Sequence, residues 1–357
     1  MINKIARLLL VWVIIIGMVV SNGCGSEEVF DKETGRLKVR IGHFPNITHS
    51  QALIGFSDDT FQKVLGSNVM IERKLFNAGP SAMEALLAGE IDLGYVGPMP
   101  AVNGFVKSHG GLQIIAGATG AGAVLVVRSD AGISRIGDLG GKKVAIPQYG
   151  NTQDICLRKI LSDAGLKSAT QGGTVTVLQV QNPDILTAFV MKDLDAALVP
   201  EPWGSRLVAQ AGGKILLDWD QVCRQGNYTT TVVIARTAFF QEHPDLVEKF
   251  LKAHVEITGR IVKDPETNKS IINRQLKGII KRDLPEGILD SSFARMTLTV
   301  NPETESIKEF AALAVDIGYL KKSPNIQGLV NLEPLNKVLQ ERGVADRDGI
   351  QPFKNRS

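Results

Sequence analysis

Short apolar runs alternate with amphipathic helical patterns along this chain, and that alternation constrains the fold more than any other feature. In the first half, strands are predicted at 37–42, where apolar and polar residues alternate, and at 69–76 and 91–96. Helical patterns at 51–65 and 81–88 separate them. Strands that alternate with helices pair mainly in parallel, so the sequence predicts an α/β fold.

The same alternation resumes in the second half of the chain. Strands are predicted at 143–146, 175–178 and 196–199, with helices at 152–164 and 184–191 between them. After its N-terminal segment the chain has about 330 residues, which is more than one hydrophobic core usually organises. We therefore expect two α/β lobes, each built on its own sheet.

Two segments are predicted to cross between these lobes. The apolar run 123–128 carries the chain into the second lobe, and the β-branched run 229–235 can carry it back. From 237 onward the pattern is helical, and we expect these helices to pack on the first lobe and the hinge. The predicted domains are an export signal (1–23), a tether (24–36), lobe 1 with the C-terminal helices (37–122 and 236–357) and lobe 2 with the hinge crossings (123–235).

The N-terminus has the layout of a bacterial export signal. A basic region precedes the apolar run 8–20, which as a helix would span roughly 20 Å and fall short of the ~30 Å hydrocarbon core of a bilayer. Gly23-Cys24 resembles the end of a lipoprotein signal, whereas Ser21 and Asn22 depart from that pattern. We expect a lipid anchor on Cys24; a plain membrane anchor and a soluble secreted protein are the alternatives.

Composition argues against several classes of function. The 40 basic and 37 acidic residues leave a net charge of only +3, which gives no support to nucleic-acid binding. The chain has no Cys-x-x-Cys pair, no metal-ligand spacing and no phosphate-binding loop, so neither a metal nor a cofactor is expected. Cys156 and Cys223 could pair in an oxidising compartment, although two buried free thiols are the favoured interpretation.

Four polar loops follow predicted strands, at 77–81, 97–100, 148–154 and 200–203. Where a helix follows, such a loop directs free backbone N–H groups and the positive end of the helix dipole at a ligand. Two loops come from each half of the chain, so we predict one small-solute site between the lobes. The candidate contacts are Asn46, His49, Gly79, Ser81, Gly97, Met99, Gln148, Asn151, Thr152, Glu201 and Trp203.

Several candidates also have a structural interpretation. Ser81 can cap the helix that follows it, with Glu84 at the capping-box position, and Asn151 or Thr152 can do the same in the second half. Trp203 either lines the cleft beside the organic part of a ligand or packs in the hinge.

The charges in these loops bear on the ligand. The loops contain no Arg or Lys, so an anion would be held by neutral donors and helix termini, and a neutral or zwitterionic ligand is equally compatible. Glu201 is unfavourable beside a bound anion, so it either pairs with a base such as Arg206 or accepts a hydrogen bond from an amine, hydroxyl or amide of the ligand. His49 can donate to the ligand or be structural, and Met99 can line the pocket or fill a gap between lobes.

Three segments resemble one family of bacterial transport proteins. They are 85–94 (ALLAGEIDLG), 138–147 (DLGGKKVAIP) and 193–202 (DLDAALVPEP). Their order and spacing resemble the solute-binding components of ABC importers for nitrate, taurine and aliphatic sulfonates, over residues 37–262.

The resemblance implies a periplasmic-binding-protein type II fold, with two α/β lobes joined by a two-segment hinge. It also implies capture of a small solute by closure of the lobes, delivery to a membrane permease powered by a separate ATPase, and no catalysis. The protein is expected to be a monomer in the periplasm or on the outer face of the cytoplasmic membrane. An aliphatic sulfonate or taurine is the expected ligand, and nitrate or a nitrogenous, pyrimidine-like solute is the alternative.

Two functions of other classes remain as alternatives. Some enzymes share this fold, among them a thiamine-precursor synthase, but they would not be expected to carry an export signal, and no Gly-x-Ser-x-Gly nucleophile motif occurs here. A sensory ectodomain is expected to be followed by a second membrane-spanning segment or a signalling domain, and none is found in this sequence.

Overall fold

The structure, a computed structural model, describes residues 30–342. The predicted export signal, Cys24, the first part of the predicted tether and residues 343–357 lie outside the described residues. The last part of the tether forms a turn, in which the Asp31 N–H donates to the Arg36 carbonyl oxygen over 2.9 Å. Within residues 30–342, no helix is both long enough and apolar enough to cross a membrane.

The described chain contains eleven β-strands and fourteen α-helices. The strands are β1 (Leu37–His43), β2 (Val69–Leu75), β3 (Leu93–Val96), β4 (Leu112–Ala121), β5 (Ala123–Arg128), β6 (Lys143–Ile146), β7 (Thr176–Gln179), β8 (Ala196–Pro200), β9 (Gly213–Leu217), β10 (Thr229–Arg236) and β11 (Met296–Leu298). The helices are α1 (Ser50–Ser57), α2 (Thr60–Leu65), α3 (Gly79–Leu87), α4 (Pro98–Lys107), α5 (Thr152–Asp163), α6 (Asn182–Val190), α7 (Trp203–Ala211), α8 (Trp219–Val222), α9 (Thr237–Glu242), α10 (Pro244–Lys263), α11 (Pro265–Ile280), α12 (Glu286–Phe293), α13 (Thr304–Asp316) and α14 (Glu333–Glu341).

The first sheet has the strand order β11-β4-β10-β3-β1-β2. β1 pairs in parallel with β2 and β3, whereas β10 runs antiparallel between β3 and β4. Helices cover both faces, so alternate residues of one strand enter different apolar layers. In β10, Val233 and Ala235 enter one layer, and Val232 and Ile234 enter the other.

The second sheet has the strand order β7-β6-β8-β5-β9. β6 pairs in parallel with β7 and β8, and β5 lies antiparallel between β8 and β9. The predicted fold with two α/β sheets is confirmed. We call the first sheet with its helices lobe 1 (37–121 and 229–342) and the second sheet with its helices lobe 2 (123–228).

The chain crosses between the lobes twice. At the first crossing, β4 leads into β5 through Gly122, whose φ of 78° is left-handed and suits glycine. The second crossing runs from β9 through α8 to β10, which lies in the first sheet along its whole length. The Ala121 N–H donates to the Tyr228 carbonyl oxygen over 2.8 Å, so the two crossings are hydrogen-bonded to each other.

The helices after β10 pack on lobe 1 and also reach lobe 2. α10 packs on α1 and α2, with Phe250 and Leu251 fully buried in the lobe 1 core. Ser292 in α12 and Arg295 just after it contact lobe 2. Beyond α13, the Ile317 carbonyl oxygen accepts a hydrogen bond from Gln171 Nε2 over 2.8 Å. The C-terminal segment therefore covers lobe 1, as expected, and braces lobe 2 as well.

Candidate functional site

A cavity lies between the two lobes, beyond the carboxyl ends of the parallel strands, where open α/β sheets bind ligands. Its volume is about 30 Å³, roughly the space of two water molecules, so the lobes already lie close together. Lobe 1 lines it with Phe44, Asn46, Thr48, His49, Asn77, Ala78, Gly79, Gly97, Pro100, Thr230 and Thr231. Lobe 2 lines it with Pro147, Asn151, Thr152, Gln153, Asn182 and Pro200.

The structure brings part of the predicted contact set together. The predicted contacts that line the cavity are Asn46, His49, Gly79, Gly97, Asn151 and Thr152. The predicted contacts that lie away from it are Ser81, Met99, Gln148, Glu201 and Trp203. Polar loops from both halves of the chain therefore meet at one place, although some of their side chains point elsewhere.

The imidazole of His49 is a neutral hydrogen-bond donor in this cavity. The Phe44 N–H donates to His49 Nδ1 over 3.4 Å, so the ring proton lies on Nε2. Within residues 30–342 no acceptor is bonded to that Nε2, which leaves its N–H available to a ligand. Burial lowers the pKa of His49 well below its ordinary value, and the neighbouring His43 lowers it further, so the ring stays neutral.

Further hydrogen bonds hold the backbone that orients His49. Arg73 Nε donates to His43 Nε2 over 2.7 Å, so His43 carries its proton on Nδ1 and donates it to the Phe44 carbonyl oxygen over 3.0 Å. Burial, with Arg73 nearby, lowers the pKa of His43 to about 3. The backbone of Phe44 is thus held by His43 at its carbonyl oxygen and by His49 at its N–H.

Trp203 supports the site from behind rather than lining it. Its indole N–H donates to Asn46 Oδ1 over 2.7 Å, and its ring is 2 % exposed among apolar residues of lobe 2. Because Oδ1 is engaged, the amide NH₂ of Asn46 is the group that remains for a ligand. The bond also links Asn46 of lobe 1 to lobe 2.

The start of α3 differs from the prediction. Ala78 is the N-cap residue and the helix begins at Gly79, so the prediction that Ser81 caps the helix in a box with Glu84 is wrong. Pro80 explains the difference, because its fixed φ and missing N–H suit the first turn of a helix. Ser81 Oγ donates to the Ala78 carbonyl oxygen over 2.9 Å and so bonds within its own helix start rather than in the cavity.

The start of α5 follows the prediction. Asn151 is the N-cap residue, and its Oδ1 accepts from the Asp154 N–H over 2.8 Å. The Asp154 carboxylate accepts from the Gly150 N–H and from Arg158 Nε, both over 2.8 Å. Burial raises the pKa of Asp154, against the lowering effect of these partners. Thr152, at the first helical position, has no intrahelical partner for its N–H and lines the cavity.

Glu201 lies fully buried behind the cavity. Its carboxylate accepts from the N–H and the Oγ of Ser205, both over 2.9 Å, and from Ser292 Oγ over 3.1 Å. Burial raises the pKa of Glu201, partly offset by these partners and by Arg295, whose Nη1 lies 3.6 Å from Oε1. The expected base is therefore Arg295 and not Arg206, whose guanidinium bonds along its own helix.

Met99 and Gln148 also lie away from the cavity. Met99 is fully buried in an apolar cluster with lobe 2 residues, so it fills space between the lobes. The Gln148 carbonyl oxygen accepts from the Asn151 N–H over 3.3 Å and closes the turn before α5. Met99 therefore fits its structural interpretation, and the predicted ligand contact of Gln148 is not part of the cavity wall.

Six further polar residues line the cavity but were not among the predicted contacts, although Asn77 and Gln153 lie in predicted loops: Thr48, Asn77, Gln153, Asn182, Thr230 and Thr231. The three consecutive threonines at 229–231 are a signal that could have identified the last two. Thr152 Oγ1, Asn182 Oδ1 and Thr231 Oγ1 are buried without a protein partner, as expected where a ligand or water completes the hydrogen bonds.

The cavity wall carries no formal charge, since none of the described residues that line it is Asp, Glu, Lys or Arg. Its donors are hydroxyls, amides, one neutral imidazole and backbone N–H groups at helix starts. In the described part of the chain, no group of three His, Cys, Asp or Glu side chains could hold a metal ion. The arrangement suits a small solute with oxygen acceptors.

Comparison with known proteins relates this chain to solute-binding proteins. Residues 32–275 match the NMT1-like family. The chain is 30% identical over 241 residues to the taurine-binding periplasmic protein of Escherichia coli (strain K12), and the match covers 66% of this chain and 72% of that protein.

Solved structures share the periplasmic-binding-protein type II fold. The alkanesulfonate-binding protein SsuA from Xanthomonas axonopodis pv. citri, bound to MOPS, has a TM-score of 0.70 at 18% identity, covering 83% of this chain and 98% of that one. The periplasmic nitrate-binding protein NrtA from Synechocystis PCC 6803 has a TM-score of 0.71 at 16% identity, covering 88% and 90%. These structures agree in fold, and the sequence match spans most of the chain, so this protein belongs to the NMT1-like family.

Proposed function

We propose that this protein is the extracytoplasmic solute-binding component of an ABC importer, and that it captures a small solute bearing an oxyanion, an aliphatic sulfonate or taurine, between its lobes. One observation carries the proposal: hydroxyl, amide and imidazole donors of both lobes converge on a single cavity that has no charged side chain. The relatives that bind taurine and alkanesulfonate by name support the same ligand class.

Neutral donors suit a desolvated oxyanion. A sulfonate stays ionised across the physiological pH range and offers only acceptor oxygens, and hydrogen bonds to an ionised acceptor are about twice as strong as neutral ones. His49 Nε2 and the backbone N–H of Thr152 can donate to it, and the Thr231 hydroxyl is buried without a protein partner. A neutral His49 also makes binding insensitive to pH near neutrality, because the ring has no charge to lose.

Nitrate is the second candidate ligand, because the nitrate-binding protein NrtA shares the fold. The apolar part of the cavity wall favours an organic solute over nitrate. Phe44, Pro100, Pro147 and Pro200 supply surface that an aliphatic chain can cover, and nitrate has no such group.

We further propose that the chain is exported and anchored through lipid on Cys24, and that it acts as a monomer that delivers its solute to a permease driven by a separate ATPase. The layout of the N-terminus and the periplasmic location in the name of the taurine-binding relative support this. In cells, Cys24→Ser should move the protein from the membrane fraction to the soluble fraction. Retention of the variant in the membrane would argue against the lipid anchor.

A calorimetric and thermal-shift panel of methanesulfonate, taurine, nitrate and uracil tests the ligand class. We expect the sulfonates to bind and, at 100 times Kd, to stabilise the protein by about 2.7 kcal/mol. Stabilisation by nitrate alone would favour the second candidate, and no response to any of the four would remove support for this ligand class. Mass spectrometry of the same mixtures would detect chemical conversion of a solute, and such conversion would show that the protein is an enzyme.

Gly97→Ala tests whether the cleft is the binding site. A Cβ on Gly97 would lie 2.7 Å from Thr152 Oγ1 of the opposite lobe, so the lobes could no longer approach as they do. We expect affinity to fall by about tenfold or more. Gly259→Ala in α10, where nothing lies within 4 Å of the added Cβ, is the matched control and should bind as the wild type does. Equal affinities of the two variants would place the ligand elsewhere.

A further inference from the structure

We propose that Cys156 and Cys223 are a redox-active pair that closes to a disulfide in the extracytoplasmic compartment, with Cys223 as the thiol that meets the oxidant. Cys156 lies in α5, in the apolar core of lobe 2, and Cys223 follows α8 directly and packs against the same core. Cys223 lines one cavity together with Lys159 and Ile160, which follow Cys156 by one turn of α5. The two side chains are therefore neighbours although their residues are distant in sequence, and each thiol shifts the pKa of the other.

Cys223 is the thiol that solvent can reach. It is half-buried and lines an open cavity of about 440 Å³ between α5, α8 and α13. Cys156 is 2 % exposed and does not line this cavity. Lys159, Arg224 and Glu309 also line this cavity, so a small polar thiol reagent can be accommodated beside Cys223.

The surroundings shift the pKa values of the two thiols in opposite directions. Interaction with the Cys156 thiol lowers the pKa of Cys223, and the charges of Arg224 and Lys159 lower it further, against burial and Glu309. The same interaction and burial raise the pKa of Cys156. An accessible thiol with a lowered pKa reacts first with an oxidant, and the buried thiol reacts second.

The step is thiol–disulfide exchange with a disulfide oxidant, either oxidised glutathione or a protein disulfide. Cys223 loses its proton, and its Sγ attacks one sulfur of the oxidant; a mixed disulfide forms, and the other sulfur leaves as a thiolate and takes up a proton. Cys156 then loses its proton and attacks Cys223 Sγ, which releases the second thiol. Two protein thiols are oxidised by two electrons, and the oxidant is reduced to two thiols. Only the supply of oxidant rests on the extracytoplasmic location proposed above.

A bridge at this position would join a cleft-lining helix to the hinge. α5 begins at Thr152, which lines the ligand cavity, and Cys156 follows one turn later. Shortly after Cys223, the Tyr228 carbonyl oxygen joins the two crossings through the Ala121 N–H. The disulfide would hold the ligand-facing turn of α5 in position relative to the second crossing while the lobes move.

Peptide mapping by mass spectrometry tests the pair in protein that carries Cys24→Ser, so that only these two thiols report. After exposure to oxidised glutathione we expect one peptide that links Cys156 to Cys223, and its loss on addition of dithiothreitol. Reduction should lower Tm by on the order of 5 °C, because the bridge restricts the unfolded chain. A variant with both cysteines replaced by serine should show no such shift.

Single variants separate the two roles. Cys156→Ser should retain glutathione on Cys223 as a stable mixed disulfide, and Cys223→Ser should leave Cys156 unmodified. In the wild type, alkylation of both thiols after treatment with oxidant, or a glutathione adduct on Cys223 that persists, would overturn the proposal. Solute binding is measured on the same samples; a bridged protein that binds no solute would count against the proposed function and leave the disulfide standing.

Discussion

The two lobes follow the same α/β plan, but burial shifts the pKa of different kinds of side chain in each. All five histidines lie in lobe 1, where His43, His49 and His254 are buried and have lowered pKa values. Lobe 2 contains no histidine, and burial there raises the pKa of two carboxyl groups, those of Asp154 and Glu201. The same architecture therefore accommodates buried histidines in lobe 1 and buried carboxyl groups in lobe 2.

This difference predicts opposite responses to acid. A buried histidine with a lowered pKa contributes stability that is present above its ordinary pKa of 6.5 and lost as pH falls toward the folded-state value, about 4 for His254 and about 3 for His43. A carboxyl group with a raised pKa acts in reverse, because the folded state binds the proton first and gains stability as pH falls through that pKa. Lobe 1 is expected to open first in acid.

The largest expected effect is acid destabilisation through the buried histidines of lobe 1, and His254 is the one tested because it does not line the cavity. Its Nε2–H donates to the Gly117 carbonyl oxygen over 2.8 Å, its Nδ1 accepts from Tyr95 over 3.0 Å, and burial lowers the pKa of the ring to about 4. Between pH 6.5 and 4, this group alone should remove about 3 kcal/mol from the free energy of unfolding. Urea titrations across this range should show the loss, and hydrogen exchange should show lobe 1 amides opening first.

His254→Gln separates this effect from general acid sensitivity. Glutamine takes up no proton, so the acid limb of the stability profile should be flatter by about 1.4 kcal/mol per pH unit, although the loss of a ring contact lowers stability at pH 7. His109→Gln changes an exposed histidine of the same lobe and is the matched control, expected to follow the wild type. Parallel profiles for all three proteins would contradict a neutral buried His254.

Asp154→Asn should have the next largest effect, and it probes the polar interior of lobe 2. The change leaves Arg158, only 10 % exposed, without its charged partner, and we expect a loss of about 2 kcal/mol in the free energy of unfolding. Asp163→Asn on the same helix removes an exposed ion pair with Lys159 and should stay within about 0.5 kcal/mol of the wild type. Denaturant titrations at pH 7 compare the two, and similar losses would show that burial of Asp154 is not decisive.

Replacement of His49 tests whether a neutral buried histidine of lobe 1 contributes to ligand affinity. His49→Asn removes the Nε2 donor, and we expect affinity for methanesulfonate to fall about tenfold. His49→Gln places an amide N–H near the position of Nε2 and should lose only about threefold. Calorimetry at pH 6 and pH 8 should give the same wild-type affinity. Tighter binding at pH 6 would instead indicate a cationic ring, and equal losses in both variants would exclude the Nε2 donor.

The smallest expected effect concerns the two helix starts that line the cavity. Asn151→Ala removes the side-chain cap of α5 and should cost about 1 kcal/mol of stability. Ser81→Ala removes only a bond within the first turn of α3 and should cost about 0.5 kcal/mol or less, since the N-cap there is Ala78. A larger loss of thermal stability in Ser81→Ala than in Asn151→Ala would contradict the assignment of Ala78 and Asn151 as the two N-cap residues.

Those two starts also show how far local patterns predict a site. At α5, Asn151 is followed by a helical pattern with no competing signal, and the cap forms where it is expected. At α3, Pro80 and Ser81 favour different starting positions for the helix. The structure follows Pro80, and the packing agrees, because a Cβ on Gly79 would lie 2.2 Å from Pro100 Cγ and the first turn therefore lies directly against the start of α4.

By itself, the sequence determined the two α/β sheets, the family and the strand ends at which polar loops meet, because hydrophobic periodicity and turn chemistry are written in residues close together in the chain. Only the tertiary structure decided which side chains of those loops face the cavity. Glu201 turns to Ser205, one helical turn away, and also to Ser292 and Arg295. Trp203 turns to Asn46. Ser292, Arg295 and Asn46 are distant in sequence from the residues that they contact. Such pairings depend on how the lobes and the C-terminal helices pack, and no local pattern encodes them.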